Sequence, residues 1–392
     1  MDAARLKASW ARVAGHGDAV PAHFYAVLFS ADPGLRMMFP ASMASQRDRL
    51  VSALGRIVSN VDQLDAVVPF VQGLGRDHRK FDVRPEHYGP VGEALLATLA
   101  CFLGEAWTRE LAADWTDAYG VIARVMVEAA EQAARSSPPW WAATVVGHER
   151  RGLDVAVLHV QPERPYPYRP GQSCAVEIPA RPRLWRYYSP ANYPRRDGLI
   201  ELHVKAVPGG QVSTGIVHGL QAGDGLRLAA PIGHRLILDP DSARDLLLLA
   251  GGTGLAPLKA LVEQLAFEGG QRRMALFVGA RTSVDLYDLP ALDAMCCDLP
   301  WLTVVPALSH DPWHPAERGA VVDVALRLGR WDDRDIYVCG SAAMVAASRD
   351  RLVQVGVSIE RIRCEDYTDD PYRPVETLVA EPVAYPNEVP VQ

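Results

Sequence analysis

The chain has 392 residues, 40 basic and 47 acidic, for a net charge of −7; 49% of it is hydrophobic and 22% charged. That is too long for one hydrophobic core, since domains run to about 100–200 residues, so two or three domains are expected. The composition excludes a largely disordered or collagen-like chain, and the mild acidity gives no pull toward nucleic acid or anionic membrane. No apolar run approaches the ~20 residues of a membrane helix. Met1-Asp2-Ala3-Ala4-Arg5 opens an amphipathic pattern, not a signal sequence. The six cysteines lack C-x-x-C spacing, which argues against zinc or a disulfide framework and for a reducing, cytoplasmic setting.

Residues 1–135 read as helix. Val91, Leu95, Leu99 and Leu103 form one apolar stripe, with Pro85 in the first turn of that helix; Leu111, Trp115, Ala118, Ile122 and Val125 form another. Ser136-Ser137-Pro138-Pro139 ends the second helix, because proline lacks an N–H and clashes with the preceding turn. Over 140–240 the pattern becomes strand-like, as in Leu153–Val160 and Leu199–Val207, with turns at Arg169-Pro170-Gly171 and Pro208-Gly209-Gly210. A β-barrel or sandwich is expected there. Over 243–368 strands alternate with helices: Leu246–Ala250, a helix over Pro257–Phe267, strands at Ala275–Val278, Leu302–Pro306 and Ile336–Cys339, then a helix from Ala342. This alternation implies a parallel sheet with crossover connections. His310 and His314 flank Pro312 and read as a surface loop, not a helical metal site. Residues 369–392 carry five prolines without periodicity and read as an extended tail.

Gly251-Gly252-Thr253-Gly254-Leu255-Ala256-Pro257 follows an apolar strand and opens a helix. Glycines there admit a pyrophosphate, and the helix N-terminus offers N–H groups to it. Together with Arg186-Tyr187-Tyr188-Ser189, this block resembles the ferredoxin reductase family. The resemblance implies FAD in the barrel, with arginine and serine at the phosphates and a tyrosine on the isoalloxazine. Gly209-Gly210-Gln211-Val212-Ser213-Thr214 resembles the family's turn at the FAD pyrophosphate, giving Gly210, Val212 and Ser213 as contacts. Tyr337-Val338-Cys339-Gly340-Ser341 resembles its C-G-P block beside the nicotinamide, with serine in place of proline. Cys364-Glu365-Asp366-Tyr367 resembles its terminal block, which implies Tyr367 against the flavin and Glu365 near hydride transfer. Ser173 stands where the family often has an aromatic ring. Arg281 suits the 2′-phosphate of NADPH and Asp285 the free 2′-hydroxyl of NADH, with NADH favoured.

His16, His23, His78 and His87 are the histidines of the helical region. His78, followed by the break Phe81–Tyr88, resembles the end of a globin F helix with the axial iron ligand. Ala22-His23-Phe24-Tyr25, Met38-Phe39-Pro40, and Gln46 with Leu50 resemble other globin pieces, as do Glu93–Leu99 and Trp115–Val121. A globin followed by this reductase is most similar to the flavohaemoglobins. The resemblance implies three parts: an all-α globin (1–135), a β-barrel FAD domain (140–240) and an α/β parallel-sheet NAD(P)-binding domain (243–368). The cofactors it implies are haem b, FAD and NADH or NADPH.

The activity implied is NAD(P)H-dependent nitric oxide dioxygenation. Haem-bound dioxygen oxidises nitric oxide to nitrate, and electrons pass from NAD(P)H through FAD to haem. Phe39 would wedge the haem, while Tyr25 and Gln46 would hydrogen-bond the oxygen. Tyr88 would join a proximal set with histidine and glutamate. Two departures stand out. An ungapped match from Trp115 through Tyr119 puts Ala130 at the glutamate position, with Glu128 and Glu131 nearby, and Asp77 replaces a lysine before the axial histidine. A haem and FAD oxidoreductase with another acceptor, or a gas- or redox-sensing globin, stays open. Partners expected are small molecules, with no nucleic acid or membrane span, and a monomer or weak dimer.

Overall fold

The computed structural model describes residues 1–367 other than Gln271 and Pro312, with side chains for all of these but Ser45, Leu64, Asp65 and Ala66. The tail expected over 369–392 lies outside the described residues. Six α-helices come first: α1 (Ala3–Ala14), α2 (Ala19–Ala31), α3 (Ala44–Ser59), α4 (Leu64–His78), α5 (Tyr88–Leu103) and α6 (Arg109–Ala134). Pro85 opens a separate 3-10 turn just ahead of α5, where its missing N–H costs no helical bond. Thr108 caps α6 by accepting from the Leu111 N–H at 3.2 Å.

At 26 residues α6 is about 39 Å long, so its apolar stripe serves two clusters. Leu111, Trp115 and Ala118 pack with α1, α2 and α5. Ile122, Val125 and Met126 pack against Phe70, Val71 and Leu74 of α4. A Cβ on Gly75 would lie 2.3 Å from the Met126 carbonyl oxygen, so α4 and α6 touch backbone to backbone there. This close crossing fixes the end of α4, where His78 sits.

The second part is a six-stranded antiparallel sheet in the order β4-β3-β6-β1-β2-β5. Its strands are β1 (Trp141–Arg150), β2 (Val155–Pro162), β3 (Cys174–Glu177), β4 (Arg186–Tyr188), β5 (Ile200–Lys205) and β6 (Gly225–Leu228), with α7 (Gln211–Gly219) between the last two. A bridge from Pro190 to Leu202 joins the two edges, so the sheet is a nearly closed barrel.

The third part is a parallel sheet in the order β10-β9-β8-β7-β11-β12. In chain order it holds β7 (Leu246–Gly251), α8 (Leu255–Phe267), β8 (Met274–Ala280), α9 (Leu289–Asp298), β9 (Leu302–Leu308), β10 (Glu317–Arg318), α10 (Val321–Leu328), β11 (Asp335–Gly340), α11 (Ala342–Gln354) and β12 (Ile362–Asp366). Leu246, Leu248 and Ala250 face a core with α8 and α9, while Leu247 and Leu249 face one with α10 and α11. Both faces of β7 are thus covered, which is why it reads as an unbroken apolar run. The first of these cores also takes in Val155, Val157, Leu236 and Leu238, so it continues into the barrel. No described helix is long and apolar enough to cross a membrane.

Candidate functional site: a cavity at the sheet switch point and a histidine at the globin–barrel junction

Strand order reverses between β7 and β11, the switch point at whose carboxyl ends α/β sheets bind ligands. A cavity of about 910 Å³ opens there, between the sheet and the barrel. From the barrel, Arg186, Tyr187, Tyr188 and Ser189 line it, joined by Gly210, Val212 and Ser213 at the start of α7. From the sheet come Gly252, Thr253, Ala256 and Pro257, and on its far side Cys339, Glu365 and Tyr367.

Gly254, Leu255 and Gly340 stand behind this wall. A Cβ on Gly254 would lie 2.2 Å from the Cys339 carbonyl oxygen, so the turn after β7 presses on the end of β11. Gly252 has φ +54, a left-handed conformation that lets the turn present its backbone to the cavity. A flat cofactor and a pyrophosphate fit these walls, which combine tyrosine rings, an arginine fork and open backbone N–H groups.

Tyr367 donates its hydroxyl to the Gly251 carbonyl at 2.8 Å and accepts from Thr253 Oγ1 at 3.4 Å. Its ring therefore lies over the glycine turn. Burial pushes the Glu365 carboxyl up to about 7, with Arg235 opposing and neighbouring Asp366 adding to the rise. Arg281 and Asp285 both line the cavity, and the Asp285 carboxylate also accepts from the Thr282 N–H at 3.0 Å and Oγ1 at 2.9 Å, bracing its own turn.

In the globin, the Tyr25 ring packs edge-on against Phe39 at 5.4 Å, and its hydroxyl donates to the Gln46 carbonyl at 3.4 Å. Burial holds that phenol well above its ordinary range, with Gln46 and Arg47 opposing. The His78 Nδ1 is 2.7 Å from the Leu74 carbonyl, one turn back on α4. A carbonyl only accepts, so Nδ1 carries the proton and Nε2 keeps a free lone pair, which is the tautomer an iron ligand needs. Burial lowers the His78 pKa, against the pull of Asp77 and the Leu74 hydrogen bond, which disfavours the charged ring. The donor chemistry fits haem.

Tyr88 begins α5 and is half-buried, and burial pushes its phenol up to about 12. Its backbone carbonyl accepts from the Tyr119 hydroxyl at 2.5 Å. Glu128 and Glu131 are exposed on α6 and Ala130 is half-buried, while the hydrogen-bond partner of the His78 Nδ1 is the Leu74 carbonyl.

Two buried charge clusters had no sequence signal as wholes, because each brings a lysine to partners on elements far apart in the chain. The Lys259 ammonium lies 2.7 Å from Glu201 and 2.9 Å from Asp288, and the His203 Nε2 lies 2.8 Å from Glu201. These groups join α8 to β5 and to the start of α9. The ammonium sits among the carboxylates where a metal ion would otherwise go. The second cluster centres on Lys80 at the junction of α4 with the barrel.

Residues 22–126 match the globin family model, 142–236 the oxidoreductase FAD-binding domain and 248–350 the oxidoreductase NAD-binding domain. A flavohemoprotein of Bacillus subtilis is 28% identical over 384 residues, covering 89% of this chain and 92% of the relative. The crystal structure of a flavohemoglobin from Malassezia yamatoensis with bound FAD and heme shares the fold at a TM-score of 0.77 and 19% identity, over 93% of this chain and 98% of that one. The FAD/NAD-binding domain of a nitric oxide dioxygenase from Vibrio cholerae aligns at a TM-score of 0.52 and 18% identity, over 58% of this chain and 98% of that one. With an imidazole tautomer suited to iron in the globin and a dinucleotide cavity at the sheet switch point, the chain is similar to the flavohemoproteins over most of its length and is a haem- and FAD-dependent oxidoreductase fed by a nicotinamide nucleotide.

Proposed function

We propose that the chain is an NAD(P)H-dependent nitric oxide dioxygenase working in the cytoplasm. The observation that carries this reading is the globin geometry. The Tyr25 hydroxyl is buried beside Phe39 and the first turn of α3, and the His78 imidazole is fixed with Nε2 unprotonated. Haem, when bound, would supply the iron at which dioxygen and nitric oxide combine to nitrate, with FAD and NAD(P)H supplying the electrons.

The residues have separate tasks. Leu74 holds the imidazole proton on Nδ1 and so orients the ring. The Tyr25 phenol stays protonated and can donate a hydrogen bond toward developing negative charge. Phe39 packs edge-on against Tyr25 at 5.4 Å and Phe29 at 5.3 Å, so the three rings hold one another in place. In the cavity, Arg186 and the turn at Gly252–Gly254 would take the phosphates. The Glu365 carboxyl, poised near neutrality, would hold or release a proton beside the nicotinamide.

A second reading follows from the proximal side, where a backbone carbonyl replaces the expected carboxylate. An imidazole bonded to a neutral carbonyl is less electron-donating, which suits a haem and FAD oxidoreductase with another acceptor. Nitric oxide consumption with NADH, oxygen present or absent, separates the two. The dioxygenase reading expects oxygen-dependent nitrate. It also expects His78→Ala to lose that activity while still passing electrons from NADH to a dye. Oxygen-independent or negligible nitric oxide loss at full haem and FAD loading would favour the second reading.

A further inference from the structure

Lys80 lies two residues beyond His78 and is only 7% exposed. Its ammonium is 2.6 Å from Asp77 Oδ1 and 3.1 Å from the Tyr187 hydroxyl, which itself donates to Asp77 Oδ1 at 3.3 Å. Three rings surround the charge: Tyr187 at 5.0 Å, Phe81 at 5.2 Å and Trp185 at 5.7 Å. Phe81 meets Trp185 edge-on at 6.4 Å. Asp77, Lys80 and Phe81 come from the end of α4 and the turn after it. Tyr187 belongs to β4, which carries Arg186 and Tyr188 into the cofactor cavity, and Trp185 directly precedes that strand.

We propose that Lys80 is a positioning residue for flavin-to-haem electron transfer. Its caged ammonium clamps the histidine end of α4 to the flavin strand β4. Burying an ammonium is costly unless it is paired and hydrogen-bonded, and here neither domain supplies the whole cage. The globin gives one carboxylate and one ring, while the barrel gives a hydroxyl and two rings. Separating the domains would dismantle the cage, so it favours the docked arrangement. Both ends of the clamp are chain neighbours of the groups concerned, Asp77 of His78 and Tyr187 of Arg186 and Tyr188. Each transfer moves one electron from reduced flavin to ferric haem, and Lys80 itself neither gains nor loses an electron or a proton. The role rests on the haem and FAD oxidoreductase assignment and is independent of the final acceptor.

The test is anaerobic stopped-flow mixing of the holoenzyme with NADH, following flavin bleaching and haem reduction separately. Lys80→Met keeps the side-chain stem and removes the charge. It should slow haem reduction by about tenfold or more, as expected when a reacting pair loses its alignment. Flavin bleaching and the carbon monoxide spectrum of the dithionite-reduced haem should match wild type. Lys80→Arg, which restores a cation, should recover the rate to within about threefold. Equal haem reduction rates in Lys80→Met and wild type would overturn the proposal. So would an equal loss of flavin bleaching, or an arginine variant as slow as the methionine one. A wild-type chain whose flavin bleaches while its haem stays ferric would instead remove the electron path itself, and this role with it.

Discussion

Replacing Lys259 by methionine preserves most of the side-chain length and removes the ammonium between Glu201 and Asp288. The three side chains are 7%, 8% and 2% exposed, so neither carboxylate can turn to water without opening the joint between barrel and sheet. Breaking a buried ion pair from one side costs about 3–5 kcal/mol, because a charge is left buried and unpaired. For domains of this size 1 kcal/mol corresponds to about 2–4 °C in melting temperature, so a fall of about 6–20 °C is expected.

The effect should depend on pH. Burial alone would raise the Glu201 carboxyl, but the His203 hydrogen bond and the Lys259 charge outweigh it and hold the carboxyl well below the usual carboxylate range. A depressed folded pKa stabilises above the unfolded value of 4.5, and that contribution is lost as pH falls. The gap between variant and wild type should therefore be full near neutrality and shrink in acid. Thermal unfolding of the holoenzyme, followed by release of FAD fluorescence at several pH values, reads both effects. Adding Asp288→Asn to Lys259→Met should return part of the loss. A fall under 2 °C at pH 7, or one that grows in acid, would mean that the Lys259 ammonium does not hold this joint.

Three further outcomes are expected. Gly254→Ala places a Cβ against the Cys339 backbone and should cost about 1–3 kcal/mol by overpacking, with weaker NADH binding read by titration of the flavin signal. In Glu365→Gln, the dependence of NADH-to-flavin reduction on an ionisation near pH 7 should flatten; wild type holds this carboxyl protonated below that pH and ionised above it. Tyr25→Phe removes a buried donor and should lower oxygen-dependent nitric oxide consumption by about tenfold to hundredfold, leaving flavin reduction by NADH intact.

The elements most visible in the sequence were those whose environment is encoded locally. Leu246–Ala250 is apolar throughout because both its faces are covered, and Gly254 stands in a strand–turn–helix block whose spacing is chemical. β1 was not individually legible: it bulges between Val145 and Gly147, and its burial alternates only over the first five residues. The eight-residue α10 and ten-residue α9 are too short for a clear helical period. Adjacent strand residues point to opposite faces, and no local signal tells Tyr187 from Tyr188. The structure gives the Tyr187 hydroxyl to Lys80 and Asp77 of the globin. Lys80 and Lys259 meet partners 107 and 58 residues away, separations that no motif spans. Ala130 at the glutamate position can be read from the sequence, whereas the Leu74 carbonyl that accepts from the imidazole Nδ1–H cannot.

The proposed function is one electron path from nicotinamide through flavin to a dioxygenating haem. It is tested most directly by counting nitrate formed against NADH oxidised in air-saturated buffer with limiting nitric oxide. Joining one nitric oxide to one dioxygen as nitrate needs one electron, and NADH supplies two. Two nitrate ions per NADH are expected, falling to none in His78→Ala. NADH oxidation that proceeds without nitrate in the wild-type holoenzyme would contradict it.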